Sequence, residues 1–119
     1  MIKETIMTVP ALELARLARV ALEEKKGRNI VLLDVRDISN LTDYALIVTG
    51  SSGPQLKALA VGVQQALKKV GMQAYRHAGT SDSGWVVLDY VDVVIHMFSA
   101  EARIYYAVET LWEKAPRLA

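Results

Sequence analysis

Two aspartates, two histidines and a Gly-Ser turn are the residues of this chain whose types and spacing could do chemistry. Asp89 and Asp92 flank Tyr90-Val91, and paired carboxylates can hold a divalent metal against a phosphate. Their i, i+3 spacing argues against that use, because acids share one strand face at i, i+2. Acids at the ends of a short break between apolar runs serve the backbone instead, accepting bonds from turn N–H groups. His77 and His96 stand apart, with no nucleophile or ligand set beside either, so general-base chemistry lacks its partners. His96 alternates with Val94 and Phe98, which predicts a satisfied, partly buried histidine on one sheet face. Gly50-Ser51-Ser52-Gly53-Pro54 could cradle an anion at a helix N-terminus. No Walker lysine is present there, no Gly-x-Gly-x-x-Gly occurs, and Pro54 stands where a lipase-type Gly-x-Ser-x-Gly would end. An N-cap with turn glycines is the better reading.

The strongest remaining feature is a decorated hairpin. Trp85-Val86-Val87-Leu88 and Val93 to Phe98 are β-rich runs on either side of Asp89 to Asp92. Trp85, Tyr90 and one of Tyr105 and Tyr106 are side-chain types enriched at interface hot spots. Tyr105-Tyr106 straddles two helix faces, so one ring is expected to pack and the other to be exposed. The candidate chemistry is therefore recognition rather than catalysis.

The elements that position these residues can be read from periodicity. Thr8 and Pro10 open a first helix, with Leu14, Leu17, Ala18 and Ala21 as its buried stripe and Gly27 as its C′ residue. Ile30 to Val35 and Ala45 to Thr49 are continuous apolar runs, which predicts strands covered on both faces. The polar connection Arg36 to Asp43 joins them. A second helix starts at Pro54, with Leu56, Leu59, Ala60, Val63, Leu67 and Val70 in register, and Gly71 closes it. Met72 to His77 reads as a short strand and Ala78 to Ser83 as a loop. After the hairpin, Ser99 caps a last helix with Ile104, Val108, Leu111 and Trp112 inward, ended by Pro116. The order α-β-β-α-β-β-β-α predicts one α/β domain over residues 1–119, with a mixed five-stranded sheet flanked by helices.

Bulk properties set the outer limits. With 119 residues, 52% of them hydrophobic, the chain can bury a real core. No apolar run approaches the ~20 residues a membrane-spanning helix needs, and Met1 to Thr5 does not resemble a secretory signal. Cysteine is absent, which removes thiolate nucleophiles and Cys-based zinc sites and fits a reducing, cytoplasmic location. A net charge of +1 does not suggest wrapping of nucleic acid, so a protein partner or small ligand is expected.

The hairpin and the final helix resemble the Iojap-like ribosome silencing factor family. The matching blocks are Trp85-Val86-Val87-Leu88-Asp89-Tyr90, Asp92-Val93-Val94-Ile95-His96-Met97-Phe98, Ala102-Arg103, Tyr105-Tyr106, Glu109 and Leu111-Trp112. Upstream, Asp34-Val35, Leu41-Thr42-Asp43-Tyr44, Thr49-Gly50-Ser51-Ser52 and Lys57-Ala58-Leu59-Ala60 look like the same family's earlier blocks. Together they cover about residues 10–113, and their order and spacing are specific. The resemblance implies a nucleotidyltransferase-like fold without the metal carboxylates, and a factor that is not an enzyme and needs no cofactor. It also implies binding to the large ribosomal subunit at universal large-subunit protein fourteen, which would block joining of the small subunit and lower translation. Organellar relatives act in large-subunit biogenesis, and homodimers occur.

Two departures stand out. Val91 replaces a common glycine, and a β-branched residue disfavours positive φ. Gly53, Pro54 and Gln55 stand where the family often has a basic residue. The residues expected to carry docking are Trp85, Leu88, Asp89 and Tyr90 on the hairpin, with Met97, Arg103 and Tyr106 beside it and Lys57 as a weaker candidate. The rival reading is a degenerate nucleotidyltransferase using Asp89 or Asp92 with Mg²⁺.

Overall fold

A computed structural model describes residues 9–119. Helix α1 (Ala11–Glu24) starts after Pro10, and the expected Thr8 cap lies outside the described residues. Leu14, Ala15, Ala18, Ala21 and Leu22 are its buried residues, so the inward face is built largely from alanine and lies close on the sheet. The helix does not end as the sequence suggests. Lys26, with φ +67°, takes the left-handed position, while Gly27 passes where a Cβ would lie 2.6 Å from a Val48 methyl. Gly27 is thus a close-approach residue.

Strands β1 (Arg28–Asp34) and β2 (Tyr44–Gly50) pair antiparallel. All seven residues of β2 are buried, as its unbroken apolar run requires of a central strand. Helix α2 (Gly53–Lys68) is capped by Ser52, whose hydroxyl accepts the Gln55 N–H at 3.2 Å, with Pro54 in the first turn. Its stripe Leu56, Leu59, Ala60, Val63 and Leu67 is buried as expected. Beyond Gly71 (φ +82°), the Met72 N–H returns to the Leu67 carbonyl at 2.9 Å and closes the helix end. That closure delays the next strand. Strand β3 is Arg76–Thr80 rather than 72–77, because Met72 and Ala74 are drawn back onto the core.

Strands β4 (Trp85–Asp89) and β5 (Val93–Ser99) form the expected hairpin, with Trp85 opposite Phe98, Val87 opposite His96 and Asp89 opposite Val94. β5 also pairs with β2 in parallel, which makes the sheet mixed, in the order β3-β4-β5-β2-β1-β6. Among the described residues the sheet has six strands, not five: β6 (Arg117–Leu118) adds to β1 antiparallel. The last helix is also shorter than predicted. α3 covers Ala100–Tyr106 and breaks at Ala107, which is left-handed with φ +47°. A 3-10 turn occupies Val108–Trp112. The apolar periodicity of Ile104, Val108, Leu111 and Trp112 spans that break, so it does not trace one face. Ile104 and Leu111 are exposed at 81% and 70%, and Val108 alone of the four is buried.

The two sheet faces are unequally covered. α1 and α2 pack one face over Leu46, Val48, Val86, Leu88, Ile95 and Met97. The other carries a smaller core of Leu33, Val35, Ala45, Ile47 and Phe98 under Ala102, Val108 and Ala115. Over β4 and the outer half of β5, that second cover stops short.

Candidate functional site: an uncovered sheet face

The hairpin turn is held by its own groups. The Asp89 carboxylate accepts the Val91 N–H at 2.8 Å, the Tyr90 N–H donates to the Val93 carbonyl at 2.8 Å, and Val91 sits at φ +73°. The Asp92 carbonyl in turn accepts the N–H groups of Asp43 and Tyr44 at 3.0 Å. Asp89 is therefore a turn carboxylate with a second, long ion pair to Arg76 at 3.8 Å. Among the described residues no three of His, Asp and Glu gather as a metal-ligand set.

Strand alternation places Trp85, Val87 and Asp89 on the under-covered face, beside Phe98, His96 and Val94. The Trp85 indole N–H donates to Nδ1 of His96 at 3.2 Å, and its ring packs on Tyr106 at 4.5 Å and Phe98 at 5.0 Å between centroids. His96 and Phe98 stack with planes 7° apart. Accepting that indole proton requires the lone pair on Nδ1, so the neutral ring carries its proton on Nε2. Burial supports the neutral form and pushes the His96 pKa down to about 4. The result is a satisfied histidine in an aromatic cluster.

Beside this cluster lies a concavity of about 460 Å³. Its floor is Trp85, Val87, Val94 and His96, and its walls include Leu41, Leu111 and Trp112, with Arg76 and Asp89 at the rim. Leu41 is 88% exposed. Large aliphatic groups standing free around an aromatic floor mark an interaction surface more than a catalytic cleft.

The structure divides the expected docking residues. Trp85, Asp89 and Tyr106 meet at this face, Tyr106 resting its ring on Trp85 while Tyr105 is exposed. Leu88, Tyr90 and Met97 do not join them. They are at most 4% exposed and belong to the core under α1 and α2, because odd and even residues of the hairpin face opposite ways. Tyr90 therefore forms no aromatic set with Trp85. Arg103 is an internal clamp: its guanidinium bonds the Glu109 carboxylate at 2.9 and 3.1 Å, the Asn29 carbonyl at 2.7 Å and the Thr49 hydroxyl at 2.8 Å. Those bonds hold the Glu109 carboxyl below its usual range. Lys57 is exposed on α2, across the sheet from the concavity.

Leu41, Val87, Val94, Leu111 and Trp112 join the site without having been expected there. Alternation from Trp85 and His96 could have found Val87 and Val94. Leu41 and Leu111 carry no such signal, since one lies in a polar connection and the other mimics a buried helical position.

Comparison with known proteins places this architecture. A family model described as ribosomal silencing factor during starvation matches residues 8–119. Ribosomal silencing factor RsfS of Chromobacterium violaceum is 39% identical over 100 residues, covering 84% of this chain and 82% of that protein. RsfS of Halalkalibacterium halodurans is 36% identical over 104 residues, covering 87% and 89%. A crystal structure of a Chromobacterium violaceum protein superposes with a TM-score of 0.85 at 37% identity, covering 88% of each chain. On this fold and these matches, the chain belongs to the ribosomal silencing factor (RsfS) family.

Proposed function

We propose that the chain silences ribosomes by docking on the large subunit through the uncovered sheet face, as a regulatory factor and not an enzyme. Its partner would be universal large-subunit protein fourteen, at the surface that meets the small subunit. The observation that carries this reading is the apolar concavity beside Trp85, in a chain whose relatives bear the name ribosomal silencing factor. Leu41, Leu111, Trp112 and the Trp85–Tyr106 pair would supply buried contact, and Asp89 and Arg76 would set register through charged bonds at the rim. Leu88 and Met97 would act from below, by keeping the hairpin stiff. No bond-making step is required. A body of 47 × 30 × 24 Å seated on a subunit interface excludes the other subunit by volume alone. Translation falls because fewer subunits join, in whichever compartment the ribosome occupies.

The test uses exposed wall residues whose replacement spares the fold. Leu41→Glu and Leu111→Glu, singly and together, should keep the melting temperature within a few degrees and abolish co-sedimentation with large subunits. They should also restore subunit joining in a light-scattering assay. Undiminished co-sedimentation of the double variant would remove this face from docking. The same apolar face could pair two copies, so sedimentation equilibrium of the wild type reports whether self-association competes with the ribosome.

A further inference from the structure

The break after α3 decides which side chains wall the Trp85 concavity. At α-helical spacing Ile104, Val108 and Leu111 share one face, so a continuous helix that buried Val108 would turn the other two inward with it. In the structure Val108 is buried, whereas Ile104 and Leu111 stand free in different hollows. Leu111 and Trp112 line the concavity beside Trp85, and Ile104 lines a separate depression with Arg28 and Asn29. The redirection comes from one residue, Ala107, at φ +47° and ψ +43°. Left-handed backbone is disfavoured for a residue with a Cβ by about tenfold in population, so neighbouring groups must hold it.

Those groups are in place. Thr110 directs both its N–H, at 2.9 Å, and its hydroxyl, at 2.7 Å, to the Ala107 carbonyl. Across the break the Arg103 guanidinium, on α3, forks onto the Glu109 carboxylate, on the 3-10 turn, at 2.9 and 3.1 Å. Its further bonds to the Asn29 carbonyl on β1 and the Thr49 hydroxyl on β2 fix the fork to the sheet. The two paired side chains are only 13% and 29% exposed, so water competes little for them. Arg103, Ala107 and Glu109 all lie outside the lining of the Trp85 concavity.

We infer that this latched break is a positioning device: Arg103 and Glu109 hold Ala107 left-handed, and the bend so held turns Leu111 and Trp112 onto the docking face. The inference rests on the reading that this face docks on the large subunit, and it names residues that shape the face without touching the partner. Unlatched, the segment relaxes toward the right-handed backbone that its helical spacing favours. Leu111 then leaves the wall, and Trp112 loses its place beside the His96 ring, 5.9 Å away between centroids.

Two readouts on the full chain test this: co-sedimentation with large subunits, and fluorine NMR of protein carrying fluorinated tryptophan, with Trp112 assigned by comparison with Trp85→Phe. Glu109→Ala should weaken co-sedimentation about tenfold and move the Trp112 resonance while that of Trp85 stays. Adding Ala107→Gly, which removes the Cβ from the left-handed position, should recover about fivefold of the affinity and return the Trp112 resonance toward wild type. Where Glu109→Ala melts too low to assay, Glu109→Gln, which keeps an acceptor but no charge, should give the same changes at reduced size. Leu111→Glu, run alongside, reports on the docking reading by itself. Affinity unchanged in Glu109→Ala but lost in Leu111→Glu would overturn the inference and leave docking standing. An unmoved Trp112 resonance, equal movement of both tryptophans, or no rescue by Ala107→Gly would also overturn it, the last two because the loss would then be one of general stability. Docking undiminished by Leu111→Glu refutes the docking reading instead, and a Trp112 resonance that moves and is rescued still establishes the latch.

Discussion

His96 makes the protein's stability depend on pH in a direction and window that can be worked out. The ring is 9% exposed and its hydrogen bond from the Trp85 indole requires the neutral form. Its folded pKa is about 4, against 6.5 for an ordinary histidine. Between those values the unfolded chain takes up a proton and the folded chain does not, so lowering the pH favours unfolding. The contribution is fully present above pH 6.5 and is lost as pH falls toward 4. At about 1.4 kcal/mol per pH unit the whole window is worth roughly 3 kcal/mol. By about pH 5 the loss is about 2 kcal/mol, a large share of the roughly 5–15 kcal/mol typical of a small domain. Urea unfolding at about pH 7.5 and pH 5 measures it, with His96→Leu as the reference. Carboxylates such as Asp34 and Glu109, whose pKa values their arginine partners hold low, contribute equally to both proteins and cancel. Wild type should lose about 2 kcal/mol more than the variant over this interval. Equal losses would mean that the folded protein accommodates the imidazolium, and the account of the aromatic cluster would fail.

Three other residues give outcomes of their own. Val91→Gly removes a β-branched side chain from φ +73°, and chemical denaturation should show a gain of about 1 kcal/mol, the relieved strain less the entropy glycine adds to the unfolded chain. Arg103→Ala strips four hydrogen bonds from a largely buried guanidinium and leaves Glu109 unpaired. It should cost about 3 kcal/mol, read as a lower urea midpoint, while Arg103→Lys, lacking the fork, recovers only part. Gly79→Ala sets a methyl against the Trp85 carbonyl oxygen at φ +77°, and the hairpin edge should respond with a loss of more than about 2 kcal/mol in the same assay.

The fold was legible wherever one local signal decided it. The unbroken apolar run at β2 announced a strand with no exposed face, and the Ser52-Pro54 start and Leu56 to Leu67 stripe announced α2. The failures lie where two signals competed. Ile104, Val108, Leu111 and Trp112 satisfy helical spacing, but Ala107 turns left-handed between them, and nothing in an alanine advertises that. The edge strand β6 is two residues long, too short to leave a pattern, and exists because β1 offers an open edge. At the site, side-chain type picked out the hairpin but not its sidedness. Trp85 and Asp89 face out and Leu88 and Tyr90 face in, a distinction carried by parity along the strand. Arg103 resembles a free charge in the sequence because its partners Asn29 and Thr49 are distant along the chain.

The parallel pairing of β2 with β5 governs how the chain reaches its native state. The β4–β5 hairpin and the antiparallel β1–β2 pair each close over a short connection, so each can form and dissolve quickly by itself. Joining them requires Gly50 and Ser99 to meet across α2, β3 and the hairpin, an entropic outlay that no local contact offsets in advance. Until that seam closes, both halves expose a strand edge lined with valine, isoleucine and leucine. The folding barrier and the window for aggregation therefore coincide at one place in the molecule, the β2–β5 seam.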